Sequence, residues 1–298
     1  MLDIESGSVG AALVRIHPDE APKLFAEHRE HLAISMSRSG ASLAQEVEHA
    51  LKVAVRSVSE VASRIRQKLV SHGTVHSAAA VMAPPWGRPN LEKGRPDFLD
   101  GMAHAVRHTT HAHFGEVPIA FYTSAGIAGF GARALIGPEP CLACVVSGEL
   151  TELLHMDEDG VRGHATVPLG SHALARTLRT HGGLSLEEAR SAARLPFESA
   201  HLREPFTAAA ADYGHMMRDA ARDLLQGATV SRIRIVAQEP LGAWYARALA
   251  EHQSFGELFS DGEIRVLRAH HAAPHLQAHA PRPDLQLMLG ALFVDSLH

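Results

Sequence analysis

Cysteine is nearly absent: two residues in 298, so a disulfide framework is excluded. Lysine is almost as scarce, with Lys23, Lys52, Lys68 and Lys93 alone, and arginine supplies the rest of the 28 basic residues. Aromatic residues make up 5%. There is no basic excess: Asp and Glu number 33 and the net charge is −5, so nucleic-acid binding is not the default. No apolar run approaches the ~18–20 residues of a membrane helix. No N-terminal stretch combines a basic start, an apolar middle and a cleavage site, so secretion is not expected. Hydrophobic content of 46% against 20% charged residues excludes disorder and leaves a globular chain with room for two lobes. Histidine is in excess at 22 residues, scattered along the chain; protonating all of them would carry the net charge from −5 to +17.

The pattern along the chain is mixed α/β. Leu2 to Ile4 reads as a strand, Glu5-Ser6-Gly7-Ser8 as a tight turn, and Val9 to Ile16 and Leu24 to His31 as two more strands. Ser42 to Leu69 carries an apolar stripe at helical spacing and Gly73 stops it. Val75 to Met82 is a buried strand, Gly87 to Pro96 a loop, Phe98 to His111 a helix, Val117 to Tyr122 a strand and Ser124 to Ile136 a small-residue helix. A second meander follows: Cys141 to Val146, a Ser147-Gly148-Glu149 turn, Leu150 to Met156, a hairpin at Asp157 to Gly160, and Val161 to Val167. Helices are expected at His172 to His181, after the capping box Ser185-Leu186-Glu187-Glu188, and at Phe206 to Leu225. Then come strand Ile233 to Ala237, helix Leu241 to His252, strand Ile264 to Leu267, and a last amphipathic helix, Leu285 to Leu297. Three strands, a helix, a strand and a helix thus recur about 140 residues apart, each time with a small-residue turn after the first strand.

That layout resembles the actin-like ATPase superfold, a duplicated ribonuclease H-like fold shared by actin, sugar kinases and heat-shock chaperones. Within it the likeness is to the cell-division protein FtsA and the pilus-assembly protein PilM, the SHS2-type family. Asp3-Ile4-Glu5-Ser6-Gly7-Ser8-Val9 resembles the first phosphate loop, Asp-Ile-Gly-Ser-x-Ser-Val, and Val145 to Glu152 stands where the family has Asp-Ile-Gly-Gly-Glu-Thr-Thr-Asp. Asp159-Gly160-Val161 through Gly170, and Leu184 to Ala189, resemble the family's hairpin, Pro-x-Gly turn and following helix. Val81 to Trp86 resembles a strand end of divergent bacterial relatives. The likeness spans most of the chain and is concentrated in Asp3 to Leu13 and Cys141 to Ala189. It implies lobe one at 1–137 with the last helix, 284–298, packed back on it, and lobe two at 138–283.

In such a fold, backbone N–H groups of two Gly-rich hairpins cradle nucleotide phosphates and acidic residues hold Mg²⁺ through water. The resemblance carries phosphate contacts onto Asp3, Ser6, Gly7, Ser8, Ser147, Gly148 and Glu149, an adenine-side contact onto Gly242, and a Mg²⁺ role onto Asp3. Two of the three motifs are degraded. The acid opening the second loop is Val145, a glycine there is Ser147 and a threonine Leu150. The adenine-side Gly-Gly is replaced by Gln238-Glu239-Pro240-Leu241-Gly242, where Glu239 adds a negative charge and Pro240 removes a donor. The segment from Trp86 to Val117 is too short for the subdomain that FtsA and PilM insert in lobe one.

The expected function is a pseudo-ATPase scaffold without catalytic residues. It would serve a type IV pilus or related inner-membrane assembly, cytoplasmic or peripheral at that membrane through protein partners, with self-association and without nucleic acid or direct membrane insertion. An active Mg²⁺-ATP-dependent ATPase or filament protein is the alternative. A metal hydrolase is a third reading, because His104, His108 and His111 recur at helical spacing with His113 beyond; no Glu sits between His104 and His108, so the zincin motif is missing. Cys141 and Cys144, three apart in a strand, face opposite sides and cannot share a disulfide or a metal. Gly126 to Gly131 reads as close helix packing and His270 to His279 as a polar loop.

Overall fold

The computed structural model describes residues 1–37, 39–68, 73–92, 95–193, 202–228, 230–252, 255, 259 and 262–298. The chain forms two units, Met1–Ala33 with Ser37–Gly131 and Ala269–His298, and Ile34–Met36 with Ala132–Arg268.

The first unit begins with an antiparallel meander of β1 (Leu2–Ile4), β2 (Ser8–His17) and β3 (Glu20–His31). Helix α1 (Gly40–Lys68) follows and buries Leu43, Val47, Ala50, Leu51, Ala54, Val55, Val58 and Ala62, an apolar stripe at helical spacing as expected. Val61 and Ile65 are half-buried, and Leu69 lies outside the described residues. Strand β4 (Ala78–Met82) then pairs in parallel with β1. Gly87 to Pro96, expected as loop throughout, contributes a short ribbon: β5 (Gly87–Arg88) pairs with β6 (Asp97–Phe98). Two-residue strands carry no periodicity for sequence to show. A Cβ at Gly87 would lie 2.8 Å from the Met82 carbonyl oxygen and 2.9 Å from Phe98, so glycine permits the close approach. Helix α2 (Asp100–Phe114), strand β7 (Ile119–Thr123), parallel to β4, and helix α3 (Ser124–Leu135) complete the segment.

The second unit repeats the plan. Strands β8 (Cys141–Val146), β9 (Thr151–Asp157) and β10 (Gly160–Val167) form the meander. At the β9–β10 turn, Asp157 Oδ1 accepts the N–H groups of Asp159 and Gly160 at 2.9 and 3.1 Å, and Gly160 takes φ 139°. Helices α4 (Ser171–Gly182), α5 (Leu186–Ala192) and α6 (Arg203–Leu225) follow, α5 opened by the expected Ser185–Glu188 capping box. Strand β11 (Arg232–Val236), helix α7 (Leu241–Glu251) and strand β12 (Glu263–Leu267) close it. The sheet order is β10-β9-β8-β11-β12, with β8, β11 and β12 parallel. In the first unit the corresponding order is β3-β2-β1-β4-β7. Two copies of one α/β topology, each over its own core, establish the duplication expected from sequence.

The chain's last part returns to the first unit. The stretch expected as a polar loop holds a helical turn at Ala269–Ala272, a 3₁₀ turn at Ala273–His275 and β13 (Gln277–Ala278), which pairs in parallel with β3. These pieces are too short and polar to announce themselves. Helix α8 (Leu285–Asp295) is not amphipathic as expected. It is apolar on all sides and buries Leu285, Leu287, Met288, Leu289, Ala291 and Leu292. A helix hydrophobic all round is an interior helix, and α8 packs on β1, β2 and β3. Among the described residues no helix is long and apolar enough to cross a membrane.

Candidate functional site

The predicted residues divide between the units: Asp3, Ser6, Gly7 and Ser8 in the first, Ser147, Gly148, Glu149 and Gly242 in the second. In the first, β1 lies between β2 and β4, so Asp3 sits mid-sheet beside Gly10 and Val81. Gly10 in turn opposes Arg29 on β3. Asp3, Gly10 and Arg29 therefore form one row across three strands. A Cβ at Gly10 would come within 2.8 Å of Arg29 Nη2 and 3.0 Å of its Cζ. Glycine is what lets the arginine pass over β2 and reach Asp3.

Arg29 is the hub. Its Nη2 donates to Asp3 Oδ2 at 2.6 Å and to Asp284 Oδ1 at 2.9 Å, its Nε to Asp284 Oδ2 at 2.5 Å, and its Nη1 to Ser8 Oγ at 2.9 Å. The Ser8 hydroxyl donates to Glu5 Oε2 at 3.0 Å, and Gln286 Nε2 donates to Glu5 Oε1 at 2.5 Å. Asp284 is also the N-cap of α8, accepting the Leu287 N–H at 3.1 Å, a position where the helix dipole favours a negative charge. The Asp3 side chain is 4% exposed and that of Arg29 8%.

Burial governs the charges here. It pushes the Glu5 carboxyl up to about 8, with Asp3 repulsion adding to it, so Glu5 is largely protonated at neutral pH. Burial also raises Asp3, against the pull of Arg29. For Asp284, burial opposes ionisation but Arg29 outweighs it and the pKa falls below the usual carboxylate range. Burial disfavours the Arg29 charge too, yet Asp284, Asp3 and Glu5 more than offset it. The Asp3 carboxylate thus already has a cation, the guanidinium, and a hydrated Mg²⁺ would have to displace it. In this arrangement the first loop does not fit the ion.

The second loop is tied down in a similar way. Ser147 donates from both its N–H and its hydroxyl to the Leu150 carbonyl at 2.9 Å. The Ser147 and Gly148 carbonyls accept the N–H groups of Ser171 and His172 at the start of α4. Glu149 accepts from Arg176 Nη2 at 2.6 Å and Nη1 at 3.2 Å, and lies 3.1 Å from His172 Nδ1. Burial works against its charge, but these partners hold its pKa at about 2. Where the family's acid would stand, Val145 is buried, and the residue opposite it on β9 is Glu152, which pairs with His164 at 3.1 Å. Gly242 lies in the first turn of α7, where a Cβ would meet Val266 Cγ1 at 2.5 Å, so helix-on-strand packing accounts for this glycine.

Sequence reasoning missed Arg29, Gly10 and Asp284. Arg29 and Asp284 are 255 positions apart, and no local pattern links them. Gly10 sits inside the expected strand, where an isolated glycine signals a close backbone approach. The histidines of α2 have local partners: His104 stacks on His108 with centroids 6.4 Å apart, His111 Nε2 lies 3.1 Å from the Val117 carbonyl, and His113 Nδ1 lies 3.2 Å from Ser59 Oγ. Among the described residues no group of three or more His, Cys, Asp or Glu is arranged to hold a metal ion. Cys141 and Cys144 are free and buried, and burial raises both thiol pKa values.

No family model matches the sequence, and no curated protein matches it. Solved structures do. The PilM–PilN type IV pilus biogenesis complex matches with a TM-score of 0.59 at 12% identity, over 99% of this chain and 97% of that one. The ethanolamine utilization protein EutJ from Carboxydothermus hydrogenoformans gives 0.56 at 15%, over 98% and 88%. A ROK family glucokinase from Streptomyces griseus, in complex with glucose and AMPPNP, gives 0.57 at 14%, over 100% and 98%. At such identities the likeness is one of fold, and it agrees with the duplicated sheets: the chain has the actin-like ATPase fold.

Proposed function

We propose that the chain is a pseudo-ATPase: an actin-like scaffold that does not turn over nucleotide and works by docking protein partners and by self-association. The observation that carries this reading is the Arg29 guanidinium on the Asp3 carboxylate, 2.6 Å away and buried, at the position where an active member would keep an acid for hydrated Mg²⁺. The Val145 substitution and the engaged Glu149 support it from the second loop. The similarity to PilM, a component of a pilus biogenesis complex, supports a role in a type IV pilus or related inner-membrane assembly, reached through partners. Fold alone does not select among scaffold, kinase and filament, so the argument rests on the site.

The test is a thermal-shift titration of the full chain with ATP, with and without Mg²⁺, beside a phosphate-release assay. A ligand that binds only the folded state must raise the melting temperature by mass action. The reading expects no Mg²⁺-dependent shift at millimolar ATP and no phosphate release. A Mg²⁺-dependent shift that Asp3→Asn abolishes would overturn it and restore the active-ATPase alternative.

A further inference from the structure

A second charged site lies at the opposite end of β8 from the Ser147 loop, about 16 Å along the strand at ~3.3 Å per residue. Successive strand residues alternate in face. On β11, Ile233 and Ile235 point into the core of the second unit, which leaves Arg232 and Arg234 on the other face. On β12, Ile264 and Val266 pack toward that core and leave Glu263 and Arg265 out. The register places Arg232 opposite Glu263 and Arg234 opposite Arg265. Like charges directly opposed across strands are unfavourable unless an anion lies between them. These side chains, with Glu139 and Ser231, line an open cavity of about 360 Å³.

The donors exceed the acceptors. Three guanidinium groups face two carboxylates. The Arg234 side chain is 4% exposed, yet its contacts among the described residues are long, 3.2 Å to Glu263 Oε2 and 3.3 Å to the Ile233 carbonyl. Arg232 reaches Glu139 only at 3.6 Å, and Arg265 leans on the same Glu263. Each guanidinium offers five N–H donors in a fixed fork that suits a tetrahedral oxyanion. Ala143, opposite Arg234 on β8, adds little bulk beside it.

We propose that this cavity binds a phosphoryl oxyanion, either free phosphate or the phosphate of a small phosphomonoester, on the buried Arg234 with the more exposed Arg232 and Arg265 at the rim. Glu263 bridges Arg234 and Arg265 until the anion takes its place. The site is independent of the nucleotide loops and of the scaffold reading.

Inorganic phosphate is titrated against the full chain by calorimetry at constant ionic strength, with sodium chloride and sodium acetate as controls and glycerol 3-phosphate as the phosphomonoester arm. Saturable phosphate binding is expected, weaker by about tenfold or more in the Arg232→Gln/Arg265→Gln variant, since charge-assisted hydrogen bonds carry it. Both side chains are partly exposed, so the variant should keep the wild-type circular dichroism. Glu263→Gln, which removes the competing carboxylate, should bind tighter. Tighter binding of glycerol 3-phosphate than phosphate assigns a phosphorylated small molecule, and equal binding assigns the free ion. An acetate response equal to that of phosphate, no saturable phosphate binding, or an affinity unchanged in the double variant overturns the proposal.

Discussion

Replacing Arg29 with methionine tests the charge network directly. Methionine keeps most of the volume and removes the cation. What remains is Asp3 and Asp284, both largely buried, with no counter-ion, while Glu5 is already largely neutral. Removing one partner of a buried ion pair typically costs ~3–5 kcal/mol, because the stranded charge keeps its desolvation penalty. Four hydrogen bonds to Arg29 disappear at once, which places the expected loss toward the upper end. At roughly 2–4 °C per kcal/mol for a unit of this size, the melting temperature of the first unit should fall by roughly 6–20 °C. The cost should shrink toward about pH 5, where the stranded carboxylates can take up protons. Differential scanning calorimetry at the two pH values reads both effects. Adding Asp284→Asn to Arg29→Met should recover part of the loss, as coupled residues do. A loss below about 1 kcal/mol at neutral pH, or an equal loss at both pH values, would refute a buried and interdependent network.

Other consequences can be measured separately. Glu5 titrates near 4.5 when unfolded and about 8 when folded, so the folded state holds the extra proton between those values and stability must fall as pH rises through the window. Glu5→Gln should lack that decline in urea melts; the comparison cancels the opposite trend of the Met1 amino group, lowered to about 6 by burial. Gly10→Ala pushes a Cβ into Arg29 and should cost ~1–3 kcal/mol as overpacking, but much less when Arg29 is already methionine. Gly242→Ala should destabilise by a similar ~1–3 kcal/mol despite alanine's better helix propensity, and Val266→Ala should relieve it in denaturant titrations. Cys141 and Cys144 should resist a thiol reagent until the second unit unfolds, since burial keeps both protonated; rapid labelling of the native protein would contradict their placement.

The sequence by itself determined the elements whose signals are local. The Asp3 to Val9 strand and turn, the α1 stripe, the Ser185 capping box and the Asp157 to Gly160 hairpin depend on neighbours within a few positions, and each lies where its residues indicated. Repetition of that local grammar was enough to show the duplication. Tertiary structure alone decided what stands on pairing at a distance. Strand β13 exists only because β3 has an edge to offer, and the β5–β6 ribbon only because Gly87 admits Phe98. Helix α8 was expected to pack back on the first unit, but that it is buried against β1, β2 and β3 rather than half-exposed as an amphipathic helix is decided by the sheet it meets. The state of Asp3 was hidden for the same reason. Its partner Arg29 reaches it across Gly10, and that arginine is held in turn by an aspartate 255 residues later, so no window of sequence contains the contact that decides its chemistry.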